Sequence, residues 1–350
     1  MKKFLRSGWT TGACAAAGVK AALIYLTAKK IVDAVEIVAL DGTKLTIPVE
    51  HVEKISGDAI RVEVKKFSGD DPDITNGASV FTTVRQIFGD EIIFRAGPGV
   101  GHITKPGLQL KVSEPAINPG PRKLIKNVAA EFNVEGLEVE ISIPAGVELA
   151  KKTLNPVLGV EGGLSVIGST GVLRPMSEEA FKNSLVPQID VAKAEGFDEL
   201  IFVPGKIGET IAKKIGFPDG AIIQTSNFVG FMLEAAAERN IKQIILCGHL
   251  GKLAKVAAGV FHTHNRIADA RLETLAAHAA TEGLPADQVQ KILDANTTED
   301  AAQIIAANHL ERVYKKIAAR ASLRAERYVF GKLKVKTILV DYAGNVLGSD

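Results

Sequence analysis

The sequence predicts an α+β N-terminal domain followed by an α/β C-terminal domain with a wound, mostly parallel Rossmann-like sheet. In the first part of the chain, strand-like segments with alternating apolar residues outnumber helical ones. From Gly163 onward the pattern changes to strand, turn and helix in repetition, which is typical of a parallel sheet. This change places the predicted domains at residues 1–156 and 157–350.

The N-terminal domain begins with an alanine-rich segment that predicts a helix over residues 13–28, with Thr10 and Thr11 as candidate N-caps. Strands are predicted at 35–40 and 44–49, on either side of the turn dipeptide Asp41-Gly42. Further strands are predicted at 59–67, 78–87, 91–95, 108–112 and 137–143, with one more helix at 121–132. Residues 95–107 are too rich in glycine and proline for a helix or strand, and their basic residues predict an anion-binding loop.

The C-terminal domain is predicted to contain parallel strands at 164–167, 199–203, 221–224 and 243–247, each followed by a helical segment. A long helical insertion over about 266–327 leads to a final strand at 334–340. The turn at 341–345 then predicts a C-terminal edge hairpin.

Composition limits the classes of partner. The chain has 350 residues, and its 42 Lys and Arg against 40 Asp and Glu are interleaved, so no nucleic-acid footprint is expected. No stretch approaches the roughly 18 uninterrupted apolar residues of a membrane span, so no membrane partner is expected. The two cysteines, Cys14 and Cys247, lie far apart, which fits a reducing, cytoplasmic compartment and provides no metal site. A homo-oligomer remains possible.

The predicted strand ends are the candidate ligand sites, because helix N-termini and loops converge at the carboxyl edge of an open parallel sheet. Glycines and small polar residues follow all four strands. The cofactor-binding candidates are Gly168, Ser169, Thr170, Gly171, Ser226, Asn227 and Gly248. A tight connection without a ligand is the alternative for the first of these turns. The end of strand 199–203 carries no acidic residue, so the usual dinucleotide-binding fingerprint fails, and no Walker motif is present.

Several segments together resemble one protein family. These segments are LRSGWTTGACAAAGVKAAL at 5–23, GDDPDITNGA at 69–78, GPGVGHITKPGL at 97–108, INPGPR at 117–122, GSTGVLRPMS at 168–177 and GHLGKLAKVAAGVFHTHN at 248–265. In this order they resemble the cobalt-precorrin-5B C(1)-methyltransferases of anaerobic cobalamin biosynthesis, and the similarity extends over nearly the whole chain.

The resemblance implies methyl transfer from S-adenosylmethionine to carbon 1 of cobalt-precorrin-5B, giving cobalt-precorrin-6A. Cobalt then enters only as part of a tetrapyrrole substrate, which carries carboxylates at its edge. Basic loop residues would bind those carboxylates. The substrate-binding candidates are Thr10, Thr11, Lys105, Arg122 and Arg174. His102 and His249 are the catalytic candidates for proton management, with a purely structural role as the alternative for both.

Two other functions remain open at this stage. A phosphate-handling small-molecule kinase would use the loop at 97–107 for a nucleotide, and magnesium-dependent ATP binding would favour it. A non-catalytic tetrapyrrole-binding protein would need no second ligand, and binding of a methyl donor would argue against it.

Overall fold

The structure of the protein is a computed structural model that describes residues 5–55, 58–132, 134 and 136–350. Its contacts divide the chain into unit 1, Met1–Glu178, and unit 2, Glu179–Asp350. The sequence placed the division after Pro156. Residues 157–178 belong with unit 1 because their short strands pair there.

Unit 1 combines short strand pairs with one larger sheet. Its elements are β1 (Gly8–Trp9), α1 (Thr11–Ala28), β2 (Ala34–Val38), β3 (Lys44–Pro48), β4 (His51–Lys54), β5 (Ile60–Lys65), β6 (Ser79–Ile87), β7 (Ile92–Ala96), β8 (Gly99–Val100), β9 (His102–Ile103), α2 (Pro119–Ala129), β10 (Gly136–Ser142), α3 (Gly146–Ala150), β11 (Val160–Glu161), β12 (Gly163–Leu164) and β13 (Val172–Leu173). The larger sheet has the order β4-β5-β6-β10-β7, and only the β10–β7 pair is parallel.

Helix α1 packs against this sheet and is buried from Thr11 to Val19. Its small residues allow the close approach: a Cβ atom at Gly18 would lie 2.6 Å from Oγ1 of Thr82. Within the described ranges, α1 is the helix whose length and composition would permit a membrane span, but 67% of it is buried inside the fold. Burial of that extent is typical of a core helix.

Most elements predicted for unit 1 are confirmed within a few residues. Thr10 caps α1, because its Oγ1 accepts a hydrogen bond from the backbone N–H of Ala13 at 3.2 Å. The strand predicted at 108–112 is wrong, since these residues form turns and bends. The loop between β2 and β3 is longer than a two-residue turn, because Val38 pairs with Lys44.

Unit 2 contains a five-stranded sheet and the remaining helices. Its elements are α4 (Glu178–Leu185), α5 (Pro187–Ala194), β14 (Glu199–Val203), α6 (Lys206–Ile215), β15 (Ile222–Gln224), α7 (Val229–Glu238), β16 (Gln243–His249), α8 (Leu250–Ala257), α9 (Arg271–Thr281), α10 (Ala286–Leu293), α11 (Thr298–Ala307), α12 (Arg312–Tyr328), β17 (Lys334–Val340) and β18 (Val346–Ser349). The strand order is β15-β14-β16-β17-β18.

The first four strands of this sheet are parallel, and β18 pairs antiparallel with β17 at the edge. The predicted edge hairpin is therefore confirmed. The prediction that residues 164–167 form the first strand of this sheet is wrong. Leu164 pairs with Val100 in unit 1, and an apolar run such as LSVI specifies burial but not which strand is its neighbour.

Candidate functional site

A cavity of about 440 Å³ lies in unit 2 at the carboxyl ends of β14 and β16. It is lined by Pro204, Gly205, Lys206, Ile207, Gly208, Asn227, His249, Gly251, Lys252, Lys255, Thr263, His264, Asn265, Arg271, Thr298 and Tyr342. The chain runs from β14 outward to β15 and then returns to β16 on the other side. A parallel sheet opens a crevice where its strand order reverses in this way, so the cavity is at the expected place for a ligand.

The turn after β14 forms one wall of the cavity. Gly205 is extended (φ −178°) and is the N-cap residue of α6. Because glycine has no side chain, it cannot cap the first N–H groups of that helix. Gly208 packs directly on β16, since a Cβ atom there would lie 2.4 Å from the carbonyl oxygen of Cys247. Close helix–strand packing at a glycine and a helix N-terminus without a side-chain cap are both typical of nucleotide-binding turns.

Because residues 164–167 do not belong to this sheet, its second strand is not the one that the sequence predicted. A ribose-binding carboxylate would be expected at the end of the second strand. Strand 199–203 is the first strand of this sheet in chain order, and β15 is the second. Gln224 ends β15, followed by Thr225, Ser226 and Asn227. No carboxylate stands there either, but the side-chain amide of Asn227 lines the cavity. Ser226 adopts a left-handed backbone conformation (φ 53°) in this turn.

Two lysines of α8 hold the surrounding loops. The ammonium of Lys252 donates to the carbonyl oxygen of Pro204 at 2.5 Å and to Oδ1 of Asn227 at 3.1 Å. It therefore joins the loops that follow β14 and β15 to the helix that follows β16. Burial lowers the pKa of Lys252, and the neighbouring charge of Lys255 adds to this effect.

Lys255 is 1% exposed, and its ammonium donates to three acceptors in the segment that follows α8. These are the carbonyl oxygens of Thr263 at 3.1 Å and Ala268 at 3.0 Å, and Oδ1 of Asn265 at 2.6 Å. Burial lowers the pKa of Lys255 as well, against the opposing charge of Asp269. Lys255 thus fixes a wall of the cavity.

His249 lies at the end of β16 and caps α8. Its Nδ1 accepts a hydrogen bond from the N–H of Gly251 at 3.1 Å, so the proton of the neutral ring belongs on Nε2. Nε2 lies 2.7 Å from Oε1 of Glu299. Burial lowers the pKa of His249 and outweighs the opposing effect of Glu299. The ring stacks on Tyr342, with centroids 4.0 Å apart and an interplanar angle of 26°.

Comparisons with known proteins identify the family. The family model described as CbiD matches residues 1–175, and the model described as the CbiD C-terminal domain matches residues 262–350. A relative from Moorella thermoacetica named cobalt-precorrin-5B C(1)-methyltransferase is 47% identical over 355 residues, covering 100% of this chain and 96% of its own. The chain belongs to the CbiD family.

A relative of the same name from Methanocaldococcus jannaschii is 47% identical over 353 residues, covering 99% of this chain and 97% of its own. The sequence resemblance is therefore confirmed. The crystal structure of the cobalamin biosynthesis protein CbiD from Archaeoglobus fulgidus is 27% identical and covers 77% of this chain and 84% of that chain. The TM-score of that comparison is 0.41.

The GSTG segment of this CbiD protein lies in unit 1, so its predicted place on the rim of the parallel sheet is wrong. Gly168 (φ 142°) packs against the start of α1, where a Cβ atom would lie 2.2 Å from Oγ1 of Thr10. The carbonyl oxygen of Thr170 accepts a hydrogen bond from the N–H of Leu40, and that of Gly171 accepts one from Thr10. Close packing within unit 1 explains these glycines.

Thr10 and Thr11 are buried and serve the same junction. Besides capping by Thr10, Oγ1 of Thr11 accepts a hydrogen bond from the N–H of Ile167 at 3.0 Å and donates to its carbonyl oxygen at 3.3 Å. The hydroxyl of Thr11 thus joins α1 to the segment before Gly168, and the hydroxyl of Thr10 caps α1.

The basic residues predicted to bind substrate lie in unit 1. Arg122 donates to the carbonyl oxygens of Ile117 at 2.7 Å and Pro115 at 3.3 Å, and it pairs with Glu114 at 3.1 Å. Its guanidinium is therefore engaged in holding its own loop. The side chain of Arg174 is 73% exposed and pairs with Asp41 at 3.3 Å.

The remaining candidates divide between the two units. Lys105 packs its side-chain carbons over Gly159, and His102 is exposed on β9. Gly248 lies on β16 beside Pro204, against whose ring a Cβ atom would lie at 2.9 Å. Of the sequence-predicted residues, the cavity brings together His249 and Asn227, with Gly248 adjoining.

Sequence reasoning missed the residues that helices and a distant hairpin bring to the cavity. These are Lys252, Lys255, Arg271, Thr298 and Tyr342. The spacing of Lys252 and Lys255 directly after a buried strand was a usable signal, because the first turns of such a helix lie at the carboxyl edge of the sheet. Thr298 and Tyr342 had no comparable local signal.

A second cavity, of about 430 Å³, lies in unit 1. It is lined by Trp9, Pro48, Glu50, Lys65, Lys66, Phe67, Asn76 and Gly77. Lys66 is buried there and pairs with Asp73 at 3.1 Å, so the acidic GDDPD segment supplies an internal ion pair. Among the described residues, no group of three His, Cys, Asp or Glu side chains is arranged to hold a metal ion.

Proposed function

We propose that this CbiD protein transfers a methyl group from S-adenosylmethionine to carbon 1 of cobalt-precorrin-5B, giving cobalt-precorrin-6A. The observation that carries the proposal is the identity of 47% over essentially the full length of relatives named for this methylation. The alignments cover 96% and 97% of those relatives.

We infer that the methyl donor binds in the cavity of unit 2. Its volume of about 440 Å³ is within the range of roughly 300–1,000 Å³ that is typical of cofactor sites. The first N–H groups of α6 and the amide of Asn227 offer hydrogen bonds to the polar groups of an adenosyl compound. The aromatic face of Tyr342, which is 64% exposed, offers a stacking surface for its base.

S-adenosylmethionine supplies a methyl group that is already activated on a sulfonium centre. The protein then has mainly to orient two ligands, and such positioning is worth roughly 7 to 11 kcal/mol of barrier. No nucleophilic side chain is required. Since Nδ1 of His249 caps α8 and Nε2 faces Glu299, we assign this histidine to shaping the cavity wall, in place of proton transfer.

We also infer that the sheet of unit 2 is a wound Rossmann-like sheet. Its four parallel strands are each followed by a helix or by the edge hairpin, and its order reverses between β14 and β16. This arrangement supports a ligand site at the cavity.

The decisive experiment incubates the purified protein with cobalt-precorrin-5B and S-adenosylmethionine labelled with ¹³C in its methyl group. We expect one labelled methyl group per macrocycle, located at carbon 1 by NMR. Binding of the macrocycle without transfer would support a non-catalytic tetrapyrrole-binding protein and would contradict the proposal.

A further inference from the structure

The cavity of unit 2 has an unusual charge balance. Four of its lining residues are Lys or Arg, namely Lys206, Lys252, Lys255 and Arg271, and none of the described lining residues is acidic. Carboxylates near the cavity are engaged by other groups. Asp269 pairs with Arg271 at 2.6 Å, and Glu299 contacts His249 at 2.7 Å. Neither carboxylate contacts the ammonium of Lys252 or Lys255.

Lys252 retains bonding capacity toward the cavity. An ammonium group has three donor protons, and the described residues accept two of them, through Pro204 and Asn227. Both acceptors are neutral oxygens. The ammonium lies beside the start of α6, since a Cβ atom at Gly205 would be 3.8 Å from Nζ. One donor proton of Lys252 is therefore left for a ligand.

Lys255 adds a second charge that has no anionic contact. Its three donor protons are all used by neutral oxygens, and the residue is 1% exposed. Lys255 is buried and Lys252 is half-buried, and the nearby charge of Asp269 offsets only part of the cost of holding these two cations three residues apart on α8. The lowered pKa of each lysine expresses this cost. A ligand anion in the cavity would offset it.

We propose that the cavity is a carboxylate site in which Lys252 donates its remaining proton to a carboxylate of the bound ligand, with Lys255 reinforcing the positive potential behind it. This inference rests on the proposed function, which offers two sources of that carboxylate. One is the amino-acid end of S-adenosylmethionine, and the other is a side chain at the edge of the macrocycle.

The test uses two ligands that differ only in the carboxylate. S-adenosylhomocysteine and its decarboxylated form are titrated calorimetrically into the wild type and Lys252→Met. If the carboxylate is that of the donor, the wild type prefers S-adenosylhomocysteine by about 10- to 100-fold, as for a charge-assisted hydrogen bond. The preference disappears in Lys252→Met, while affinity for the decarboxylated compound stays the same.

A second arm tests the macrocycle. If the carboxylate belongs to the substrate, the wild type binds both adenosyl compounds equally, and Lys252→Met weakens cobalt-precorrin-5B binding by about 10- to 100-fold. If Lys252→Met lowers neither the preference for S-adenosylhomocysteine nor the affinity for the macrocycle, the carboxylate site is overturned. Failure of the wild type to bind or use any adenosyl compound would instead contradict the proposed function.

Two further variants keep the test interpretable. Lys252→Gln can still donate to Pro204 and Asn227 but carries no charge, so it separates the tethering of loops from anion binding, and we expect it to behave as Lys252→Met does. Lys214→Met makes the same substitution at an exposed position of α6 outside the cavity lining, and it should bind every ligand as the wild type does.

Discussion

Gly208 at the start of α6 packs against the carbonyl oxygen of Cys247 in β16, and a Cβ atom at Gly208 would lie only 2.4 Å from that oxygen. The contact fixes the first turn of α6 on the sheet and thereby sets one wall of the cavity. Because both partners are backbone, neither can rotate away from an added side chain.

Gly208→Ala should therefore destabilise the protein. We expect the free energy of unfolding to fall by about 1–3 kcal/mol, the usual cost of overpacking, as measured by urea denaturation. Gly205→Ala is the matched control, since its Cβ atom would meet only Nζ of Lys252 at 3.8 Å and its backbone is extended. Equal denaturation midpoints for Gly208→Ala and the wild type would contradict this packing.

Gly168→Ala should affect stability and leave donor binding intact. The added Cβ atom would meet Oγ1 of Thr10 at 2.2 Å in unit 1, with a cost of about 1–3 kcal/mol. Gly162→Ala is the control for backbone strain, because it has a positive φ of 88° and no atom within 4 Å. Calorimetry of the folded variant should give the wild-type affinity for S-adenosylhomocysteine. A selective loss of that affinity would restore GSTG as a cofactor loop.

Arg122→Ala should lower the stability of the protein, because Arg122 holds the loop that precedes α2. Removing the guanidinium leaves the carbonyl oxygens of Ile117 and Pro115 without this donor, and we expect a loss of about 1–3 kcal/mol in chemical denaturation. Arg174→Ala removes an exposed pair with Asp41 and should change stability by less than about 0.5 kcal/mol. An unchanged stability together with a raised KM for the macrocycle would show instead that Arg122 binds substrate.

Protonation of His249 should lower the free energy of unfolding of the protein in mild acid. Burial lowers its pKa below the ordinary value of 6.5, so the unfolded chain binds the proton more readily than the folded one. Its contribution to stability is complete above about pH 6.5 and is lost as the pH falls toward the folded-state pKa. His249→Asn can still cap α8 but does not titrate.

The measurement is the free energy of unfolding at about pH 7.5 and pH 5.5 for both proteins. The wild type should lose more stability over this interval than His249→Asn. His278 has a pKa lowered by burial as well, but it is present in both proteins and cancels in the comparison. Identical losses would show that His249 titrates normally.

The sequence predicted helices and strands well where neighbouring residues determine them. Thr10 as a cap, the strand at 199–203 and the strand at 334–340 followed from caps, apolar runs and turn residues. Sheet membership failed for Leu164, because an apolar run records burial without naming its partner strand. Because Leu164 was counted in the first strand of this sheet, the strand ending at Val203 was taken as the second. The ribose-binding carboxylate was therefore sought at Val203, although the second strand of the sheet is β15.

The sequence predicted the candidate site only in part, because local patterns do not specify contacts between residues that are distant in sequence. His249 is the last residue of β16 and Asn227 is the third residue after β15, so the search at the carboxyl ends of strands found both. Lys252 enters through hydrogen bonds to Pro204 and Asn227, which are distant in sequence. Tyr342 reaches His249 from the hairpin after β17, and no local pattern indicates that stacking.

We expect the methyl donor to occupy the cavity between the ends of β14 and β16. A crystal structure of the protein grown with S-adenosylhomocysteine tests it most directly. We expect electron density for the nucleoside in the space bounded by Pro204, Asn227 and Tyr342. Well-defined density for the same compound elsewhere on the protein, with this cavity empty, would contradict it.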